Sequence, residues 1–165
     1  MMDIKEKIIK RKKKFIKNFV YTTDFKDFYY VDSYFLPLLL LSYDYIDELY
    51  FILNKEGFYR YINKSDYYDI TLLHMAVKKG NLELIDKLIS LGADINAKTC
   101  NGLSVAYEAI MQMNIIVLKK LISFGYMFTD SDLYILSLSK NTDLKKVIET
   151  FKSNDNVIPL ERRVA

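Results

Sequence analysis

Leu73, Ala76 and Val77 recur at helical spacing, as do Leu84, Ile85, Leu88 and Ile89, and Gly80 and Asn81 separate the two sets. Apolar positions three and four apart share one helix face, so the pattern predicts two short amphipathic helices with a tight turn between them. Gly80 sits where the chain must reverse, and Gly92 follows the second helix as the residue best suited to positive φ. Similar patterns flank this pair. Upstream, Leu36, Pro37, Leu38 and Leu39 open one helix, in whose first turn a fixed φ is at home; Glu48, Leu49, Tyr50 and Leu53 form the next, before Gly57. Downstream, positions 132–136 and 143–148 give a further pair, with Asp132 and Asp143 as expected N-caps.

A lone helix pair cannot bury its apolar face, so such a pattern asks for neighbours of the same kind. The run Thr71-Leu72-Leu73-His74-Met75-Ala76 resembles the T-P-L-H-x-A signature of ankyrin repeats, with Leu72 in place of proline. The segment GNLELIDKLISLGADINA, residues 80–97, resembles that family's G-H-x-E-I-V-x-x-L-L-x-x-G-A-D-V-N-A. The resemblance implies structural roles for Thr71, Leu73, His74, Ala76, Gly80, Gly92, Asp94 and Asn96, with His74 tying neighbouring loops together.

A shift of 33 residues, the family's period, lays Ser104 on Thr71, Tyr107 on His74, Ala109 on Ala76, Leu118 on Ile85, and Gly125 on Gly92. This copy has drifted, because Met113 replaces the inter-helix glycine and Tyr126, Met127 and Phe128 replace Ala93, Asp94 and Ile95. The implied fold is an all-α ankyrin-repeat solenoid of about four helix-turn-helix repeats with short β-finger loops. Approximate repeats span 33–65, 66–98, 99–128 and 129–151, and the last is a shortened copy whose outer positions are expected to be polar, as in a terminal cap. Residues 1–32 are expected to form a basic helix and connecting segment that caps the array, and residues 152–165 a tail.

Composition agrees with one such domain: 165 residues, 51% hydrophobic, with two prolines and five glycines, leave little room for long linkers. The single cysteine excludes an internal disulfide framework. No export signal is expected, since no apolar stretch follows the basic start within twenty residues, and positions 35–41 are far short of the ~20 residues a membrane span needs. A cytoplasmic location is expected, or the host cytoplasm for a secreted effector or a viral protein.

Charge is concentrated at one end. Lys5, Lys7, Lys10, Arg11, Lys12, Lys13, Lys14 and Lys17 against Asp3 and Glu6 give residues 1–17 a net +6, leaving sixteen basic and nineteen acidic residues, a net −3, for the rest. Ile4, Ile8, Phe15 and Phe19 share a helical stripe there. One reading is a helix closing the array, with a solvated basic face. The other is a basic amphipathic helix that contacts an anionic membrane or nucleic acid through Lys5 to Lys17.

Catalytic chemistry is sparse. His74 is the only histidine, so neither a histidine-pair metal site nor a triad with a second histidine can be built. Cys100, beside Asn101 and Gly102 in an expected finger tip, reads as an incidental exposed thiol. No phosphate-cradling glycine loop or zinc-type cysteine cluster occurs. No enzyme activity, catalytic residue, metal or cofactor is expected.

Surface remains. In ankyrin repeats the fingers and the exposed side of each first helix receive partners, which here implies Tyr67, Tyr68 and Ile70, then Lys78 and Lys79, then Cys100, Asn101 and Leu103, then Met111 and Gln112. Tyrosine offers a large contact area with a polar tip and little rotamer entropy to lose. The expected function is a non-enzymatic protein-protein interaction module, an adaptor, inhibitor, immunity protein or effector, acting as a monomer on a protein partner; the alternative is a membrane- or nucleic-acid-associated factor that uses the basic end.

Overall fold

Pro37 stands in the first turn of α1 (Leu36–Ser42), where an N–H is missing from the helix ladder anyway. In this computed structural model, which describes residues 14, 16–21, 30–31 and 34–153, α1 begins a series of four helix pairs. The first pair is α1 with α2 (Ile46–Leu53), followed by a short 3-10 turn (Phe58–Tyr61). The second is α3 (Leu72–Lys79) with α4 (Leu82–Ser90), the third α5 (Tyr107–Met111) with α6 (Ile115–Ser123), the fourth α7 (Asp130–Leu138) with α8 (Thr142–Ser153). The fold class is therefore all-α, as a helical repeat. The one paired-strand element among the described residues is a two-residue antiparallel ladder, β1 (Tyr30–Val31) against β2 (Tyr34–Phe35).

Described residues up to Tyr61 form one compact unit and those from Ile62 another. In the first, Leu40, Leu41, Leu49, Ile52, Leu53 and Phe58 make the core. The helical segment 16–21 packs on α2: Val20 is fully buried, Tyr21 meets Phe51 edge-on at 4.5 Å, and Lys17 reaches Glu48, which is 2% exposed, at 3.4 Å. Residues 1–13 and 15, with Lys5, Lys7, Lys10, Arg11, Lys12 and Lys13, lie outside the described residues, as do residues 154–165 of the expected tail.

In the second unit the helix pairs stack, α3 on α5 and α5 on α7, with Leu72, Leu73, Ala76, Leu84, Ile85, Leu88, Ala109, Leu118 and Leu121 buried between them. Each interior pair reverses through one residue in the left-handed region. Gly80 has φ 66° and its N–H bonds the Val77 carbonyl at 2.9 Å, while Asn81 N–H bonds Ala76 at 3.1 Å. The same turn recurs at Met113 and Asn114, and in the first unit at Asp44 and Tyr45. Glycine is needed at position 80 for a second reason, since a Cβ there would stand 3.1 Å from Asn114 Nδ2. Gly92 takes φ 91° beyond the end of α4.

Two expectations about helix starts are corrected. Asp132 is the third helical residue of α7 and not its N-cap; Thr129 caps the helix and Asp132 reaches back to the Thr129 N–H, a reciprocal box. Likewise Asp143 lies inside α8, and Asn141 Oδ1 accepts from the Asp143 and Leu144 N–H groups. Asparagine thus caps three second helices in a row, Asn81, Asn114 and Asn141. On the outer side of α7, Tyr134 and Leu138, 66% and 65% exposed, stand among the exposed polar residues Asp130, Ser131 and Ser137.

Candidate functional site

Ser65 bridges Thr71 and Lys98 bridges Ser104, which closes two hairpin fingers, residues 65–71 and 98–104, at the starts of the second and third repeats. Both use the same turn chemistry. Asp66 Oδ1 accepts from the Tyr68 and Ile70 N–H groups at 2.9 Å, and Thr99 Oγ1 accepts from Leu103 N–H at 3.1 Å. The left-handed corner is Asp69 in one finger and Gly102 in the next. The Cys100 N–H then donates to the Tyr68 carbonyl at 3.0 Å and ties finger to finger.

Tyr67 is 91% exposed, and its ring meets that of the exposed Tyr68 edge-on with centroids 5.5 Å apart. Cys100 and Asn101 are exposed beside them, whereas Ile70 and Leu103 are half-buried at the finger bases. Lys78, Lys79, Met111 and Gln112 are exposed at the ends of successive first helices. Lys78 Nζ pairs with Glu108 Oε1 at 3.1 Å, and Gln112 Nε2 donates to the Lys78 carbonyl at 3.0 Å. Two groups therefore form: Tyr67, Tyr68, Cys100 and Asn101 on the fingers, and Lys78, Glu108, Met111 and Gln112 at the helix ends. No hydrogen bond, ion pair or ring contact joins one group to the other among the described residues.

His74 is buried beneath the fingers. Its Nδ1 accepts from the Thr71 N–H at 3.2 Å and lies 2.9 Å from Thr71 Oγ1, while Thr71 Oγ1 accepts from the His74 N–H at 3.4 Å. Nδ1 as acceptor leaves the ring proton on Nε2. Nε2 is buried with no partner inside hydrogen-bond range, yet the Leu103 backbone of the next finger is near enough to favour the protonated ring. Burial outweighs it and holds the imidazole below its usual pKa, against the pull of Leu103, Asp66 and Asp94. A neutral, capping imidazole is an architectural group.

Sequence reasoning missed Asn63 and Glu108. Asn63 Nδ2 donates to the Gly92 carbonyl at 3.1 Å and its Oδ1 accepts from Asp94 N–H at 2.7 Å, which locks the turn after α4. The signal was present, since Asn63 precedes Asn96 by one 33-residue period. Asp94 Oδ1 in turn accepts from the Asn96 N–H at 2.8 Å. Among the described residues no cluster of three His, Cys, Asp or Glu side chains could hold a metal ion, and no helix is long and apolar enough to cross a membrane.

Residues 73–122 match the family model for ankyrin repeats (many copies). Over 96 residues the chain is 33% identical to the fowlpox virus (strain NVSL) ankyrin repeat protein FPV244, a stretch that covers 58% of this chain and 14% of that much longer protein. The paired helices, the left-handed turns at positions 80 and 92 and the linked fingers agree with that match, so the chain is similar to the ankyrin repeat family over residues 73–122.

Proposed function

We propose that the chain is a non-enzymatic adaptor, inhibitor, immunity protein or effector that holds a protein partner on the fingers and first helices of residues 62–153. Ankyrin repeats are generally protein-protein interaction modules, and the exposed finger and helix-end residues support that reading here. The observation that carries the reading is the pair of exposed tyrosines on a finger that is itself bonded to its neighbour. Rings presented on a braced turn lose little freedom on binding, which is where aromatic hot spots gain their energy. Lys78, neutralised by Glu108, makes the adjoining helix ends polar without strong charge. A monomer acting in the cytoplasm, the host's in a viral or effector setting, is the form proposed, and the similarity to a poxvirus protein supports that setting.

The test is the Tyr67→Ala, Tyr68→Ala double variant against a partner first captured from the native cell. Losing a central aromatic anchor costs ~2 kcal/mol or more, so affinity should fall at least about thirtyfold. Unchanged affinity with a native circular dichroism spectrum removes the site from the fingers. The alternative reading, charge-driven binding through the basic end, predicts instead a steep loss of affinity with added salt. Lys17, in its ion pair with buried Glu48, favours a structural use of at least part of that end.

A further inference from the structure

Asn63 and Asn96 occupy the same register one period apart, yet their side chains do different things. Asn63 grips a short stretch of backbone by one carbonyl, Gly92, and one N–H, Asp94. The matching stretch for Asn96 is residues 125–127, but the Asn96 side chain makes no hydrogen bond to it or to any other described residue. In place of that contact lies a cavity of about 180 Å³, bounded by Asn96, Lys98, Tyr126, Met127 and Phe128 among others.

The cavity has a cause in the sequence. Ser104 follows Thr71 by 33 residues, whereas Thr129 follows Ser104 by 25, so the fourth repeat has no finger to lay beside residues 98–104. Drift in the G-A-D positions contributes too, because Tyr126 and Phe128 turn inward, edge-on at 5.5 Å, and Met127 stays exposed between them. Tyr126 is fixed from behind by its 2.6 Å bond to Asp132. At the rim Lys98 is exposed and makes no ion pair with any described residue.

We propose that this cavity binds a peptide segment of the protein partner that carries one large apolar side chain beside a carboxylate. The apolar side chain enters against Met127 and Phe128, the Asn96 amide pairs with a backbone carbonyl and N–H as Asn63 does with residues 92–94, and Lys98 faces the carboxylate. A volume below the ~300–1,000 Å³ of small-molecule sites suits one side chain, and methionine adapts to its shape. The occupant rests on the protein-binding reading above; the cavity can be tested apart from it.

The probe is acetyl-Leu-Asp-amide, with acetyl-Leu-Lys-amide as its charge-reversed control, titrated into the full chain and read at the ¹³C-methyl resonance of Met127. The aspartyl peptide should shift that resonance saturably and bind about twofold to fivefold more tightly than the lysyl one, the scale of an exposed ion pair. Lys98→Glu should reverse the order. Asn96→Ala should weaken both peptides at unchanged melting temperature, because its amide holds nothing in the free protein. No saturable Met127 shift with either peptide, or equal affinities in the wild-type protein, overturns the proposal. A Tyr67, Tyr68 variant that loses a protein partner while the peptides fail here leaves the binding module standing and removes only the cavity.

Discussion

Met113 holds the left-handed turn position that Gly80 holds one repeat earlier, at φ 54° against 66°. Both donate the same bond to the carbonyl three residues back, Gly80 to Val77 at 2.9 Å and Met113 to Ile110 at 3.0 Å. The third repeat has therefore kept the turn and lost the residue suited to it.

A side chain in that region costs roughly 1–2 kcal/mol, and glycine's greater freedom in the unfolded chain returns ~0.5–1 of it. Met113→Gly should accordingly raise stability by about 0.5–1 kcal/mol, since the exposed methionine gives up only a weak 3.8 Å contact with Asn141. Gly80→Ala should do the reverse and more, because its new Cβ meets Asn114 Nδ2 at 3.1 Å. Urea midpoints of the two variants decide it, and a Met113→Gly protein no more stable than wild type counts against strain at this turn.

The two asparagines in register should differ sharply in stability. Asn63→Ala removes two hydrogen bonds that lock residues 92–94, at ~0.5–1.5 kcal/mol each, while Asn96→Ala removes none. Thermal melts of both variants under one buffer measure the contrast. Equal losses in the two would mean that the Asn96 amide is in use after all.

His74 gives the protein a pH response whose sign is fixed. Burial lowers the folded-state pKa, so near pH 6 the unfolded chain, with an ordinary imidazole of ~6.5, binds more protons than the folded one. Stability is then fully present above about pH 6.5 and declines as pH falls from there toward the folded value. No other histidine exists to confuse the measurement. Denaturant midpoints at about pH 7.5 and 5.5 should differ in the wild type and converge in His74→Gln, whose amide can still serve the Thr71 box.

Much of this architecture was legible in the sequence because glycine at positions 80 and 92 and the apolar spacing from Leu73 to Ile89 act locally. The helix pair they predict is present, as are two exposed tyrosines on a finger. What escaped acts at a distance. The ion pair of Lys78 with Glu108 joins residues 30 positions apart. Asn63 reaches 29 and 31 positions forward, and Asp132 reaches back 28 to Ser104, pairings that no local pattern announces. Asp132 also passed for an N-cap because aspartate is favoured there, whereas Thr129, three residues earlier, takes the position. The basic positions before Lys14, from which the alternative membrane or nucleic-acid contact is read, lie outside the described residues.

Asp132 ties the third repeat to the fourth. At 1% exposure it accepts from Ser104 Oγ at 2.7 Å, Tyr126 OH at 2.6 Å, Thr129 N–H at 2.8 Å and Thr129 Oγ1 at 2.7 Å. Ser104 stands where Thr71 stands one repeat earlier, but Tyr107 cannot complete a capping box as His74 does, and α5 is only five residues long. The Ser104 hydroxyl is spent instead on the next repeat. Asp132→Ala should strand those buried donors, at ~1–3 kcal/mol for each one left unsatisfied. Tyr126→Phe is the milder cut, at ~1.5–3 kcal/mol for one hydrogen bond to a charged group. Tyr126 also sets an alkaline limit: burial first, then Asp132, raises the pKa of its hydroxyl, so its contribution holds below the unfolded value near 10 and is lost as pH rises beyond it. Tyr126→Phe should therefore lower the urea midpoint near pH 8 and also flatten its decline above about pH 10. A variant with the wild-type midpoint near pH 8 would show that the hydroxyl is not part of the tie.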